Sequence, residues 1–385
     1  MTRFREQIGG ALRELEEAGL LRRPFRIEGP QGPEVRIDGR AVLCFCSNNY
    51  LGLANHPDLL AAADEHEGYG AGASRLITGT MRAHQEAERA LADFVSAPAA
   101  ALFANGYAAN VGTIQALVRE GDAIFSDALN HASLIDGCRL SRARVHVYRH
   151  RDAEHLESLL HAHRTRAERA LIVTDSLFSM DGVAAPLRDL ARLAGSYDAG
   201  LLVDEAHALG VFGPQGSGLS AAAEIVPDVL IGTLGKAFGG AGAFVAATEA
   251  VVSLVQNRAR SYVYSTAPPP SLARAGLAAL SLVRRGSEAR TTLLQHASRL
   301  RIGLRDLGYD LPRGESQILP VMIGDNDRTM RLSARLLEQG IFVQGIRPPT
   351  VPRGTARLRL TPMATHRPEH IDQAIKVFAS LASND

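Results

Sequence analysis

The chain predicts an α/β fold: a parallel sheet covered by helices on both faces, followed by a smaller α+β region. Three observations point there. Between residues 100 and 250 short apolar runs alternate with helical stretches, the texture changes after about residue 270, and the composition is that of an ordinary globular enzyme. The strand-like runs include Ala101–Phe103, Ala123–Phe125, Val145–Tyr148, Ala170–Thr174, Leu201–Val203 and Val229–Thr233. Helical patterns lie between most of them, at Ala108–Val118, His131–Leu140, Ala153–His163 and Leu187–Ala194. In sheets of this kind reactive side chains gather at the carboxyl ends of the strands.

The flanks are read in the same way. Phe4, Ile8, Leu12 and Leu15 recur at helical spacing, so the chain opens with an amphipathic helix that must pack on something. Beyond residue 270, Ser271–Arg285 and Leu293–Leu307 are helical, Ile318–Ile323 is a strand, and Asp325 caps a helix ending at Gly340. Ile341–Ile346 and Ala356–Leu360 are further strands, and Arg367–Leu381 closes the chain as a helix. Three regions follow: 1–45 as an N-terminal helix with short strands, 46–270 as the large domain, and 271–385 as the small α+β domain, with the Pro268–Pro270 run at its border.

Lys+Arg 42 against Asp+Glu 41 leaves a formal charge of +1, so no bulk field favours nucleic acid or a membrane surface, and an anionic ligand needs a local site. No apolar run reaches the roughly 18 residues of a membrane span, and no apolar core of a signal peptide follows Met1, so a cytoplasmic protein is expected. The three cysteines, Cys44, Cys46 and Cys138, lack metal-ligand spacing, and no metal site is expected.

The chemistry starts at Lys236. It follows the buried-strand run Val229–Thr233 through a Leu-Gly turn. The phosphate-loop pattern fails here, because Leu230 stands where its first glycine should be and Ala237 replaces its Ser or Thr. Alone, such a lysine reads more simply as a solvated strand end. Asp204 changes that balance, since the apolar strand Leu201–Val203 delivers it to the same sheet edge. A carboxylate there needs a cation, and the protonated ring of pyridoxal phosphate is one. Asn105-Gly106-Tyr107 opens a helix after a strand, as an ordinary turn or as a phosphate cradle, and Thr233 can add a hydroxyl. His131, one of 13 histidines, is by itself more simply structural.

Taken together the residues resemble the α-oxoamine synthases, a family of fold-type I pyridoxal-phosphate enzymes. The matching pieces are Ser47–Leu53, Asn130–Ser133, Phe178–Gly182, Asp204–His207, Thr233–Lys236, Tyr264–Thr266 and Arg357–Arg359, in family order from about residue 45 to 360. The resemblance implies the fold-type I architecture, with a mostly parallel seven-stranded sheet, and a homodimer with shared active sites. It implies that Lys236 carries the cofactor as a Schiff base and moves protons, Asp204 pairs with the ring nitrogen and His131 stacks on the ring. Ser179 and His207 would contact the ring hydroxyl. Gly106, Tyr107 and Thr233 would hold the phosphate, with Thr266 reaching it from a partner subunit.

Arg359 would hold the amino-acid carboxylate, and Arg22, Asn48, Arg347 and Thr350 would be further substrate contacts. The stretch Ile346–Arg359 is similar to the family member of the biotin pathway, which joins L-alanine to a pimeloyl thioester. Sibling activities joining glycine to acetyl or succinyl thioesters, a pyridoxal-phosphate aminotransferase, and a non-catalytic binding protein are the alternatives. Two departures from the family pattern stand out: a shortened Gly70–Arg75 loop near the substrate entrance of relatives, and Glu205 within and Ala208 just after the Asp204–His207 motif.

Overall fold

The computed structural model describes residues 2–64 and 68–382. They form two compact units, one of Met1–Ser47, Met180–Gly182 and Leu293–Asp385, the other of Asn48–Ser179 and Val183–Thr292.

The second unit is built on a seven-stranded sheet: β1 (Ala99–Phe103), β2 (Ala123–Asp127), β3 (Arg144–Tyr148), β4 (Ala170–Asp175), β5 (Gly200–Asp204), β6 (Val229–Thr233) and β7 (Ala243–Ala247), in the order β1-β7-β6-β5-β4-β2-β3. The neighbouring pairs among β2 to β6 are parallel, and β7 runs antiparallel to both β1 and β6. The antiparallel pairing follows from the short connection after β6, which leaves no room for a crossover helix.

Alternate residues of these apolar strands enter two separate cores, as the twofold period of a strand requires. Ile124, Val173, Leu202, Ile231 and Val245 pack with Ile114 and Leu134 on one face, while Phe125, Ile172, Leu201 and Val203 pack with Leu156 and Leu190 on the other. The helix Pro270–Arg285 belongs to this unit because it packs against Pro57–Ala63 and Arg82–Phe94. This compact unit ends inside a helix, at Thr292–Leu293.

The first unit holds two small sheets. Ile27–Glu28, Glu34–Ile37, Arg40–Cys44 and Ile341–Phe342 make one; Leu319–Gly324, Ala356–Leu360 and Gln344–Ile346 make the other. The single strand expected over Ile341–Ile346 is thus two. Ile341–Phe342 runs parallel to Leu43–Cys44, whereas Gln344–Ile346 runs antiparallel to Arg357–Arg359, so the backbone must break at Val343 to serve both sheets.

The helix Arg3–Glu17 forms as its period demands, yet none of its residues is buried in this chain: Phe4 is 70% exposed and Ile8 and Leu12 each 50%. Its apolar stripe has no cover among the described residues. Among the described residues no helix is long and apolar enough to cross a membrane.

Candidate active site

The parallel strands of the large sheet deliver their polar ends to one edge: Asp127 ends β2, Asp175 ends β4, Asp204 ends β5, and Lys236 follows β6. Lys236 rides on a turn pinned from several sides. Thr233 Oγ1 donates to Gly242 O (3.1 Å) and accepts from Gly235 N (3.1 Å), Gly240 N donates to Leu234 O, and Gly239 N to Lys236 O. The Thr233 hydroxyl is therefore spent on the turn in this structure. Gly239 sits at φ +67, and a Cβ there would lie 2.4 Å from Ala54 N, so only glycine lets this turn press against the Ser47–Leu53 motif.

That motif supplies a second anchor. The buried Tyr50 hydroxyl donates to Asn48 Oδ1 (3.1 Å) and is hydrogen-bonded to His207 Nδ1 (2.7 Å), which fixes the orientation of the imidazole. Asn48 and His207 are thereby joined through a residue that sequence reasoning left without a role.

Asp204 is 4% exposed, and its two oxygens accept from neutral donors, Asn110 Nδ2 (2.7 Å) and Ala206 N (2.8 Å). Asn110 Nδ2 also donates to Ser133 Oγ (2.8 Å), whose hydroxyl lies 2.7 Å from His131 Nδ1. Because Ser133 N also donates to His131 Nδ1, that nitrogen is the acceptor and His131 is the neutral tautomer with its proton on Nε2. Burial holds the His131 imidazole below its ordinary range; the Asp204 carboxylate opposes this and the Lys236 ammonium adds to it. One continuous chain, Asp204–Asn110–Ser133–His131, thus fixes the two groups expected to address the cofactor ring.

Asp175 was also missed, although its strand ends level with Asp204 in register. Its Oδ2 accepts from His131 N (2.7 Å), and burial, then the neighbouring Asp204 carboxylate, push its carboxyl well above the usual range. The adjacent pair therefore resists carrying two full charges. The signal lay in the strand Ala170–Thr174, which delivers Asp175 as Leu201–Val203 delivers Asp204.

Glu205 differs. Fully buried, it accepts from Ser176 Oγ (2.8 Å), Leu219 N (3.0 Å) and Ser220 N (2.6 Å), so its departure from the family wording is a clamp on the segment after Gly218.

At the end of β1, Asn105 Oδ1 caps the helix Gly106–Leu117 by accepting from Ala108 N (2.9 Å), which leaves the Gly106 and Tyr107 N–H groups at the positive helix end. The half-exposed Tyr107 donates its hydroxyl to Asp136. Ser179 is half-buried, just after Phe178, whose N donates to Val183 O (3.0 Å). Thr266 is exposed and pairs with Ser74, away from the Lys236 turn's own bonds.

The remaining expected residues lie in the first unit. Arg22 Nη2 donates to Pro348 O (3.2 Å) and Thr350 Oγ1 (3.3 Å), and Arg347 Nη2 donates to Leu21 O (2.8 Å). These bonds gather Arg22, Arg347 and Thr350 into one cluster. Arg347 is 6% exposed with its Nε unpartnered, and burial, then Arg22, lower its proton affinity. The partners of the two guanidinium groups are carbonyls, a hydroxyl and Met330 Sδ, so the cluster holds an uncompensated positive charge. Arg359 is buried on the strand Ala356–Leu360, and its charge acts on Cys46. Its neighbour Arg357 is committed to Asp181 (2.6 Å).

Residues 40–378 match the family model "Aminotransferase class I and II". The chain belongs to this family. A relative from Geobacter sulfurreducens named 8-amino-7-oxononanoate synthase is 49% identical, with 99% of this chain and 98% of that protein aligned. Among solved structures, a serine palmitoyltransferase from S. paucimobilis with a bound PLP–myriocin aldimine superposes with TM-score 0.92 at 32% identity, over 98% of this chain and 97% of that one. An 8-amino-7-oxononanoate synthase from Francisella tularensis superposes with TM-score 0.76 at 28% identity, covering 89% of this chain and 98% of that one. The fold is that of the fold-type I pyridoxal-phosphate transferases.

The residues fit the cofactor of that fold. A buried carboxylate that accepts from the neutral donors Asn110 Nδ2 and Ala206 N suits a protonated ring nitrogen, helix N–H groups suit a phosphate, and a lysine stands on a pinned turn at the same edge.

Proposed function

We propose that the protein is a pyridoxal-phosphate-dependent 8-amino-7-oxononanoate synthase, which condenses L-alanine with a pimeloyl thioester and releases carbon dioxide and the carrier thiol. The likeness to 8-amino-7-oxononanoate synthases along 99% of the chain carries this reading. The Arg22–Arg347–Thr350 cluster supports it, because a pimeloyl chain ends in a carboxylate that would meet this uncompensated charge.

When bound, pyridoxal phosphate supplies a cationic ring that draws electrons from the substrate Cα. Asp204 keeps the ring nitrogen protonated, and Asn110 and Ala206 hold the carboxylate in place. Lys236 would tether the group and accept the proton of the substrate Cα. His131, held neutral and oriented by Ser133, would stack on the ring. Ser179 and His207 address the ring hydroxyl, with Tyr50 orienting His207. Gly106 and Tyr107 would receive the phosphate, joined by Thr233 once its hydroxyl turns from Gly242 O; Arg359 would receive the alanine carboxylate, and Asn48 the substrate at the Tyr50 anchor. The protein acts in the cytoplasm as a homodimer. The uncovered stripe Phe4, Ile8, Leu12 and Leu15 supports a second copy, from which Thr266 would complete the phosphate site.

Product mass spectrometry with alanine or glycine and a panel of acyl thioesters tests the reading. L-alanine with pimeloyl thioester should exceed glycine with acetyl or succinyl thioester by at least about tenfold in kcat/KM, equivalent to about 1.4 kcal/mol. A preference for glycine and a short acyl donor would move the protein to a sibling activity.

A further inference from the structure

The other end of the large sheet carries a cavity of about 370 Å³ whose lining includes Arg142, Arg144 and Arg166. Arg144 opens β3, and Ala123, also in the lining, opens β2, so the cavity lies at the amino ends of these strands. A five-residue strand separates that end from the catalytic edge by about 15 Å. None of the three guanidinium groups has a carboxylate partner among the described residues. Two acids share the lining, the buried Asp122, which accepts from Arg119 N (2.9 Å) and Arg169 N (3.0 Å), and the exposed Glu120; against three exposed arginines they leave the wall net positive.

Two histidines complete the wall. His163 stacks on His146 at 4.0 Å, and His146 on Phe125 at 5.2 Å. His146 Nε2 and His163 Nδ1 are both buried without a hydrogen-bond partner. Burial, then His163 and Arg144, hold His146 below the ordinary histidine range. Three cations without carboxylate partners in one cavity wall are an arrangement that an anion relieves. The planar fork of arginine matches a phosphoryl group better than a monovalent halide.

We propose that this cavity is a second ligand site, remote from Lys236, which takes a phosphoryl-bearing anion between Arg142, Arg144 and Arg166. It is independent of the condensation reaction.

The test uses the cofactor-loaded enzyme, whose own phosphate cradle is filled. Pyrophosphate is titrated while the histidine Cε1–H resonances and the melting temperature are followed. The His146 and His163 signals should shift saturably, the His146 titration should move to higher pH, and the melting temperature should rise with ligand concentration. In Arg144→Ala/Arg166→Ala, affinity should fall by about tenfold or more while kcat/KM and the cofactor absorbance stay at wild-type values. Arg142→Ala serves as the second variant should the double one fail to fold. ADP distinguishes the source: a response equal to that of pyrophosphate assigns recognition to the phosphoryl group alone, and a tighter one assigns it to a nucleotide. Absence of a saturable histidine shift in the wild type, or an undiminished shift in both variants, overturns the proposal.

Discussion

The two ends of the seven-stranded sheet are electrostatic opposites. At the carboxyl ends Asp175 and Asp204 stand side by side with neutral donors around them, and a single lysine follows on the next turn. At the amino ends of β2 and β3, Arg142, Arg144 and Arg166 converge with two histidines. A formal charge of +1 conceals both. Charge imbalance at a strand end is thus a local property, and each end shows by its excess what it is missing: a cation at one, an anion at the other.

Removing the lysine should break the comparison most completely. Lys236→Ala is expected to lose the covalent tether, with turnover falling below detection. The visible absorbance should vanish, and after borohydride reduction the cofactor mass should map to the Lys236 peptide of the wild type alone. Label on another lysine would refute the assignment. Asp204→Asn preserves shape and removes charge, so kcat should drop on the order of 10³-fold; a variant within tenfold of wild type would show that Asp204 is not the ring partner.

A smaller loss is expected where the link is indirect. Asn110→Ala frees Asp204 and Ser133 together, and groups that orient a reacting residue typically account for about 10- to 100-fold. The loss should fall on kcat more than KM, and the cofactor absorbance should acquire a new pH dependence. An unaltered pH profile would make Asn110 merely structural.

Histidine sharpens the contrast further, at the scale of stability. His366 is 4% exposed, stacked on Phe45 at 4.4 Å, and its Nδ1 accepts from Met363 N (2.8 Å); burial pushes it down to about 3. The unfolded chain takes up a proton near pH 6.5 that the folded chain refuses until about pH 3, so stability falls as pH drops through that window. At pH 5 the loss from this residue is about 2 kcal/mol relative to pH 7. Denaturant melts of His366→Asn should show a shallower decline between pH 7 and 5 than the wild type. Parallel declines would contradict the assignment. His366 lies outside the Arg142–Arg144–Arg166 cavity, so pyrophosphate should leave its signal unmoved.

Much of this was legible in the residues alone. The runs that became β4, β5 and β6 and the helices between them stand where their periods place them, and Asp204 and Lys236 were recognisable as strand-end groups. The Ile341–Ile346 run reads as one strand, and nothing local marks the change of partner at Val343. Glu205 and Asp204 are adjacent, buried and alike in charge. Only their neighbours separate a clamp saturated by three donors from a carboxylate left to meet a ring.

The sequence by itself determined which side chains stand at strand ends and helix starts, because periodicity, glycine turns and caps act over a few residues. The tertiary structure alone decided which of those ends became neighbours. Strand order placed Asp175 beside Asp204. Helix packing brought Asn110 within 2.7 Å of Asp204, and bonds spanning 326 residues joined Arg347 to Leu21 and Arg22 to Pro348. Lateral neighbours are set by which apolar faces bury one another, and no single strand or helix carries that information in its own pattern.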